Sequence, residues 1–277
     1  MSIRKIVADS SADTLTLDGV DFASAPLTIL TDEKEYVDNA VLDVAGMTED
    51  LLKYHGRSST ACPGVGDWWA AFGDAEEIFC VTITSNLSGS FNAAKIAAQE
   101  YEENHPGRRV FVLDSLSTGP EMRLLLERLR EDVAAEMAFE AICEDVTAYS
   151  AKTGLLFVLE SMKNLANNGR VSKLAATAAG ILGIRAVGKA SDVGTLQQLH
   201  KCRGEKKALQ TILAEMEAHG FTGGRIRIAH GLNENGAKAL LDVIRSAYPN
   251  IEATIVPFSG LCCFYAERGG LMVGFEG

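Results

Sequence analysis

The sequence is poor in the features that announce most chemistries. Its six cysteines form no C-x-x-C pair and have no histidine at ligand spacing, which argues against a zinc site and a disulfide-stapled scaffold. Basic residues are the minority, 26 against 37 acidic, giving a net charge of −11 with no basic run to offset it. Such a surface repels nucleic acid and anionic membrane. No apolar stretch approaches the ~18–20 residues of a membrane span, so no stable membrane insertion is expected. The opening M-S-I-R-K-I-V-A-D reads as a strand rather than a signal peptide. Also missing are G-x-S-x-G, G-x-x-x-x-G-K-[ST], G-x-G-x-x-G and H-E-x-x-H. These absences predict a reduced, cytoplasmic protein with no metal and no cofactor.

What is present is an ordinary globular balance. Of the 277 residues 47% are hydrophobic and 23% charged, enough for one large domain or two modest ones with a real core. In the first half the pattern is strand, polar loop, helix, repeated. Ile3–Ala8 runs into Asp9-Ser10-Ser11-Ala12-Asp13, Glu77–Thr84 into Ser85-Asn86-Leu87-Ser88-Gly89-Ser90, and Arg109–Leu113 into Asp114-Ser115-Leu116-Ser117-Thr118-Gly119. Helical stretches follow at Phe91–Tyr101 and Pro120–Val133, which predicts a parallel sheet with covering helices. Thr48–His55 reads as a helix capped by Thr48, residues 32–41 as irregular, and Ser58–Gly64 as a loop. The second half mixes strands at Leu155–Leu159, Arg225–His230 and Ile251–Pro257 with helices at Glu205–His219 and Asn235–Ala247. A small-residue helix is expected over 175–182. The expected fold is α/β, an N-terminal domain over 1–150 and a C-terminal domain with a mixed sheet over 151–277.

Three segments share one chemistry. Ser58-Ser59-Thr60, Thr84–Ser90 and Asp114–Gly119 all present hydroxyls, and the last two follow strands directly. In a parallel sheet the strand C-termini lie on one edge, where such loops converge. Neutral donors beside a helix N-terminus suit an anion, and each hydrogen bond to a charged acceptor is worth roughly 1.5–3 kcal/mol. Caps and turns explain the same residues equally well. Arg170, in a turn after an apolar strand, could counter an anion or pair with one of the many carboxylates. Cys262 and Cys263 lie in an apolar run and read as core thiols. Among the five histidines only His230 ends a strand, where a Ser–His pair with Ser88 stays open beside a structural role.

Read in order, these segments resemble the DegV family of bacterial fatty-acid-binding proteins over nearly the whole chain. Asp9–Asp13 is similar to D-S-[ST]-A-D, and Thr60-Ala61-Cys62-Pro63-Gly64 to T-S-x-P-S. Residues 83–94 are similar to I-S-S-x-L-S-G-T-Y-x-S-A, and Asp114–Gly119 to D-S-x-S-x-G. Leu165–Ser172 resembles L-x-x-G-G-R-I-S, and Arg203 with Lys207 resembles R-x-x-K-K-A.

The resemblance implies a two-domain fold with a long-chain fatty acid in a buried tunnel between the domains. It implies a carrier, not an enzyme, that presents the carboxylate to a fatty acid kinase. Thr60 and Ser88 would hold the carboxylate, with supporting roles for Ser59, Ser85, Ser115, Arg170 and Tyr265. Two departures stand out. Gly64 and Ala61 replace hydroxyl residues of the T-S-x-P-S loop, with Ser59 a possible substitute. Tyr265 stands where the family has the histidine of a closing H-T-G-P-G strand, and Glu267 and Arg268 follow it. Three other readings compete: a binder or enzyme acting on a small phosphorylated metabolite, which predicts a short polar pocket, a serine hydrolase using Ser88 and His230, and an interaction scaffold.

Overall fold

The computed structural model describes residues 3–172 and 183–277; the helix expected over 175–182 lies outside them. Strands β1 (Arg4–Asp9), β2 (Asp21–Ala25), β6 (Glu77–Thr82) and β7 (Arg109–Asp114) form an all-parallel sheet in the order β2-β1-β6-β7. Both faces are covered, which is why its strands are continuous apolar runs. Val7, Ile78 and Cys80 pack under helices α2 (Val65–Phe72) and α3 (Ser90–Asn104). The alternating partners Ile6, Ala8, Phe79 and Val81 pack under α4 (Gly119–Ala134) and α5 (Phe139–Ser150).

The second sheet is mixed, with six strands: β8 (Thr153–Leu159), β9 (Ile184–Ala190), β10 (Leu196–Arg203), β11 (Arg225–His230), β12 (Glu252–Pro257) and β13 (Leu271–Glu276). Their order is β10-β9-β8-β13-β11-β12, and only β11–β12 is a parallel pair. Helices α7 (Glu205–Ala218) and α8 (Glu234–Ala247) cover one face over Leu156, Val158 and Val273. The period of two turns Leu155, Phe157, Leu159 and Met272 to the other face. There they meet Ile29, Met47 and Phe264. Those residues come from a three-stranded antiparallel sheet of β3 (Thr28–Thr31), β4 (Glu35–Val37) and β5 (Ser58–Ala61), from α1 (Val44–Lys53), and from α9 (Gly260–Ala266). A short α6 (Lys163–Asn167) closes this side.

Helix α4 joins the two sheets. It packs on β1 and β6 on one side and on β8, β11 and β13 on the other, and Met122, Leu124, Leu125, Leu126 and Leu129 are fully buried. Gly274 permits the close approach, since a Cβ there would lie 2.5 Å from the Glu121 nitrogen. Ion pairs fix the crossing: Arg227 meets Glu127 at 2.6 Å and Arg225 meets Glu131 at 2.8 Å.

The structure corrects several local expectations. The cap of α1 is Asp43, whose carboxylate accepts from the Gly46 N–H; Thr48 lies inside the helix and donates to the Val44 carbonyl. Residues 35–37 and 58–61 are strands, because pairing with β3 overrides their polar composition. Tyr265 sits on helix α9 rather than on a strand.

Candidate functional site

Because β1, β6 and β7 run parallel, the loops that follow them share one edge, and they are cross-linked there. The Thr84 N–H donates to the Ser117 carbonyl at 2.9 Å, and the Ser85 and Leu116 N–H groups both donate to Asp114 at 3.1 Å. Asp9 is wholly buried and accepts from Ser11 Oγ, Ser90 Oγ and the Ile83 N–H. Burial pushes its carboxyl up, against those three donors. Many of the hydroxyls in these motifs thus tie one loop to the next.

Beside this edge is a narrow cavity. Its wall is largely apolar, with Leu155, Phe157 and Leu159 of β8, Met272 of β13, Leu196 of β10, and Leu165 of α6. One end is polar: Thr60, Ser88, Arg170 and Tyr265 line the same cavity and are only half-buried. Thr60 Oγ1 and Tyr265 Oη share a 2.7 Å hydrogen bond that links β5 to α9. Burial raises the Tyr265 phenol, partly offset by that bond and by the Arg170 charge, so the group stays a protonated donor. Arg170 donates to the carbonyls of Leu87 and Asn168 and lies 5.7 Å from the Tyr265 ring centre. The ion pair weighed for it in the sequence is not made with any described carboxylate; a loop carbonyl and a ring orient it instead. Ser88 Oγ accepts from the Ser90 N–H at the start of α3. The Thr60 and Ser88 loops abut, since a Cβ on Gly89 would lie 3.2 Å from Cys62 Sγ.

Three predicted residues do not line this cavity. Ser59 alternates with Thr60 along β5 and projects from its opposite face. Ser85 is exposed, and its backbone anchors to Asp114. Ser115 closes its own loop by exchanging bonds with Ser117. His230 is buried and accepts from the Asn233 N–H, and it does not line the cavity that holds Ser88. Glu267 accepts from Ser161 Oγ and the Asn164 N–H, stapling the end of α9 to α6.

What holds α9 in place has no signature in the sequence. Asp38, in the stretch expected to be irregular, accepts from the Gly260 and Leu261 N–H groups at 2.6 and 2.9 Å. Asp13 accepts from the Ser259 N–H and Oγ, both at 2.7 Å. These contacts span more than two hundred residues and have no local signature.

The family model described as an uncharacterised protein family, DegV, matches residues 4–276. A DegV domain-containing protein of Streptococcus pneumoniae is 45% identical over 276 residues, covering 98% of each chain. Another, of Streptococcus gordonii, is 41% identical over 277 residues, also with 98% of each chain covered. Among solved structures, a DegV family protein of Eubacterium eligens loaded with heptadecanoic acid superposes with a TM-score of 0.97 at 46% identity, covering 99% of each chain. The fatty acid kinase (Fak) B3 protein of S. pneumoniae loaded with linoleic acid also has a TM-score of 0.97, at 45% identity, covering 100% of this chain and 99% of that one.

Proposed function

The chain belongs to the DegV family, and from that premise we propose that it is a non-enzymatic carrier of one long-chain fatty acid. The observation that carries this reading is the cavity itself, largely apolar, with Thr60, Ser88, Arg170 and Tyr265 on its lining and Thr118 the further hydroxyl there. A fatty-acid tail gains about 0.8 kcal/mol per CH₂ removed from water, so a long chain supplies of order 10 kcal/mol before association costs. The head group then needs few donors. Thr60 and Ser88 supply neutral hydroxyls, Tyr265 holds Thr60 through its own hydroxyl, and the half-buried Arg170 adds charge. Donors on one side leave a carboxylate oxygen open to an approaching kinase, the partner that the relationship to the B3 protein supports. Both stretches, 1–150 and 151–277, contribute to the lining, Thr60, Ile83 and Ser88 from the first and Leu155, Phe157 and Tyr265 from the second. Six unpaired cysteines suit a cytoplasmic setting.

The phosphorylated-metabolite reading predicts a short polar pocket, which this wall does not offer. Substitution of Ala266 separates the two. Ala266 is buried on the cavity wall, and Ala266→Phe puts a ring where the tail would lie. Displacing two methylenes alone costs about 1.6 kcal/mol, more than tenfold in affinity. Binding of oleate, followed by displacement of a fluorescent fatty acid, should fall by at least that factor in a folded variant. Unchanged oleate affinity would place the acyl chain elsewhere.

A further inference from the structure

The Asp13 carboxylate is half used. Its Oδ1 takes both Ser259 donors, while Oδ2, buried, has no hydrogen-bond partner among the described residues. That free oxygen faces the place where α4 begins and α9 passes. A Cβ on Gly119 would lie 3.2 Å from Asp13 Oδ2 and 3.8 Å from Cys262 Sγ. Cys262 is itself part of the cavity wall. Cys262 and Tyr265 are three residues apart and so share a face of α9, and both line the cavity. The root of this short helix therefore rests on two buried carboxylates, Asp13 and Asp38, and its next turn carries the phenol that meets Thr60.

We propose that Asp13 and Asp38 are positioning residues that form a proton-linked anchor for α9, so that head-group affinity follows the protonation state of Asp13. This rests on the carrier reading and adds a regulation to the same site. Asp38 caps the helix with both oxygens, each on a backbone N–H. Asp13 differs in having an oxygen with no hydrogen-bond partner of normal geometry among the described residues, and burial pushes its carboxyl up to about 7, against the Ser259 bonds and the adjacent Cys262 thiol and with the Asp38 charge adding to the rise. The groups facing Asp13 are few. The start of α4 brings Gly119, the loop after β4 brings Asp38, and the root of α9 brings Ser259 and Cys262. No lysine, arginine or histidine among the described residues forms an ion pair with either carboxylate; the facing titratable groups are each other and the Cys262 thiol, which burial raises well above its ordinary value.

The direction follows from charge. Below about pH 7 the Asp13 carboxyl is protonated and adds no charge at the helix root. Above it, an anion appears there behind a largely apolar wall that would also hold an anionic ligand, and water is drawn toward Oδ2. Affinity for a fatty acid should therefore fall as pH rises through about 7. By reciprocity, a bound carboxylate raises the Asp13 carboxyl further.

The test is the pH profile of cis-parinaric acid binding, read by fluorescence between pH 5.5 and 8.5, for the wild type and for Asp13→Asn. Comparing the two removes the ligand's own ionisation. Wild-type affinity should drop by about fivefold or more relative to the variant over that range, with the variant flat after the comparison. Ser259→Ala removes one donor without touching the charge, and should move the wild-type midpoint to higher pH. It also serves if Asp13→Asn does not fold. A purely structural role would lower affinity equally at every pH and leave the midpoint in place. Parallel profiles for wild type and both variants would overturn the anchor while leaving the carrier intact. Failure of every protein to bind the probe at any pH would instead strike the carrier reading itself.

Discussion

Replacing Thr60 and Ser88 together with alanine is expected to weaken fatty-acid binding by about a hundredfold. In the proposed carrier each hydroxyl would donate to the ligand's carboxylate, an interaction worth roughly 1.5–3 kcal/mol, and both line the cavity. Two such losses sum to about 3 kcal/mol at the low end, which is a little over two decades in affinity. The fold should tolerate the change, since both side chains are half-buried. Thr60 additionally leaves Tyr265 without its partner, so part of the loss reflects a phenol free to turn away. Tyr265→Phe alone should reproduce that part and no more. Isothermal titration with oleate measures all three variants. A double variant that binds as tightly as wild type would mean that the carboxylate is held by other groups.

The second large effect concerns stability. Arg227 on β11 is 4% exposed at its side chain and pairs with Glu127 of α4, which is 8% exposed. Breaking a buried pair by removing one member typically costs 3–5 kcal/mol, because the remaining charge keeps its desolvation penalty. Arg123 still reaches Glu127 at 3.1 Å, so Arg227→Ala should cost about 3 kcal/mol, the lower end of that range. Replacing both partners by Met and Leu should recover most of it. Urea unfolding of the single and double variants gives the comparison. Equal loss in both would show that packing, not charge, carries this contact. The pair also ties α4 to the second sheet, so ligand affinity should fall with stability in the single variant and return in the double.

Strands β6 and β7 could be read directly, because each is an apolar run followed by a polar loop and a helix; β1 is the same kind of run, but its loop leads into strand β2. The second sheet was harder. Strand β10 is Leu-Gln-Gln-Leu-His-Lys-Cys-Arg, an edge strand whose exposed residues hide the alternation. Helix α9 is Gly-Leu-Cys-Cys-Phe-Tyr-Ala, short, apolar and buried, with no helical periodicity to betray it; the family motif pointed to a strand instead. At the candidate site the hydroxyl-rich loops were visible, and Thr60, Ser88, Arg170 and Tyr265 do meet at one cavity. The sequence could not divide those hydroxyls between cavity and scaffold. Ser90 and Ser11 bind Asp9, Ser115 binds its own loop, and Ser59 projects from the far face of its strand. That division depends on strand parity and on partners far away in sequence. Asp38 is the extreme case, a residue in an unremarkable polar stretch that caps a helix 222 positions further along.

The central claim is that this cavity holds a fatty acid, and solvent extraction of the purified protein followed by mass spectrometry tests it most directly. The carrier account predicts close to one long-chain fatty acid per protein chain, or quantitative uptake of added oleate by a delipidated sample. A protein that yields no lipid and fails to take up either oleate or palmitate would contradict it.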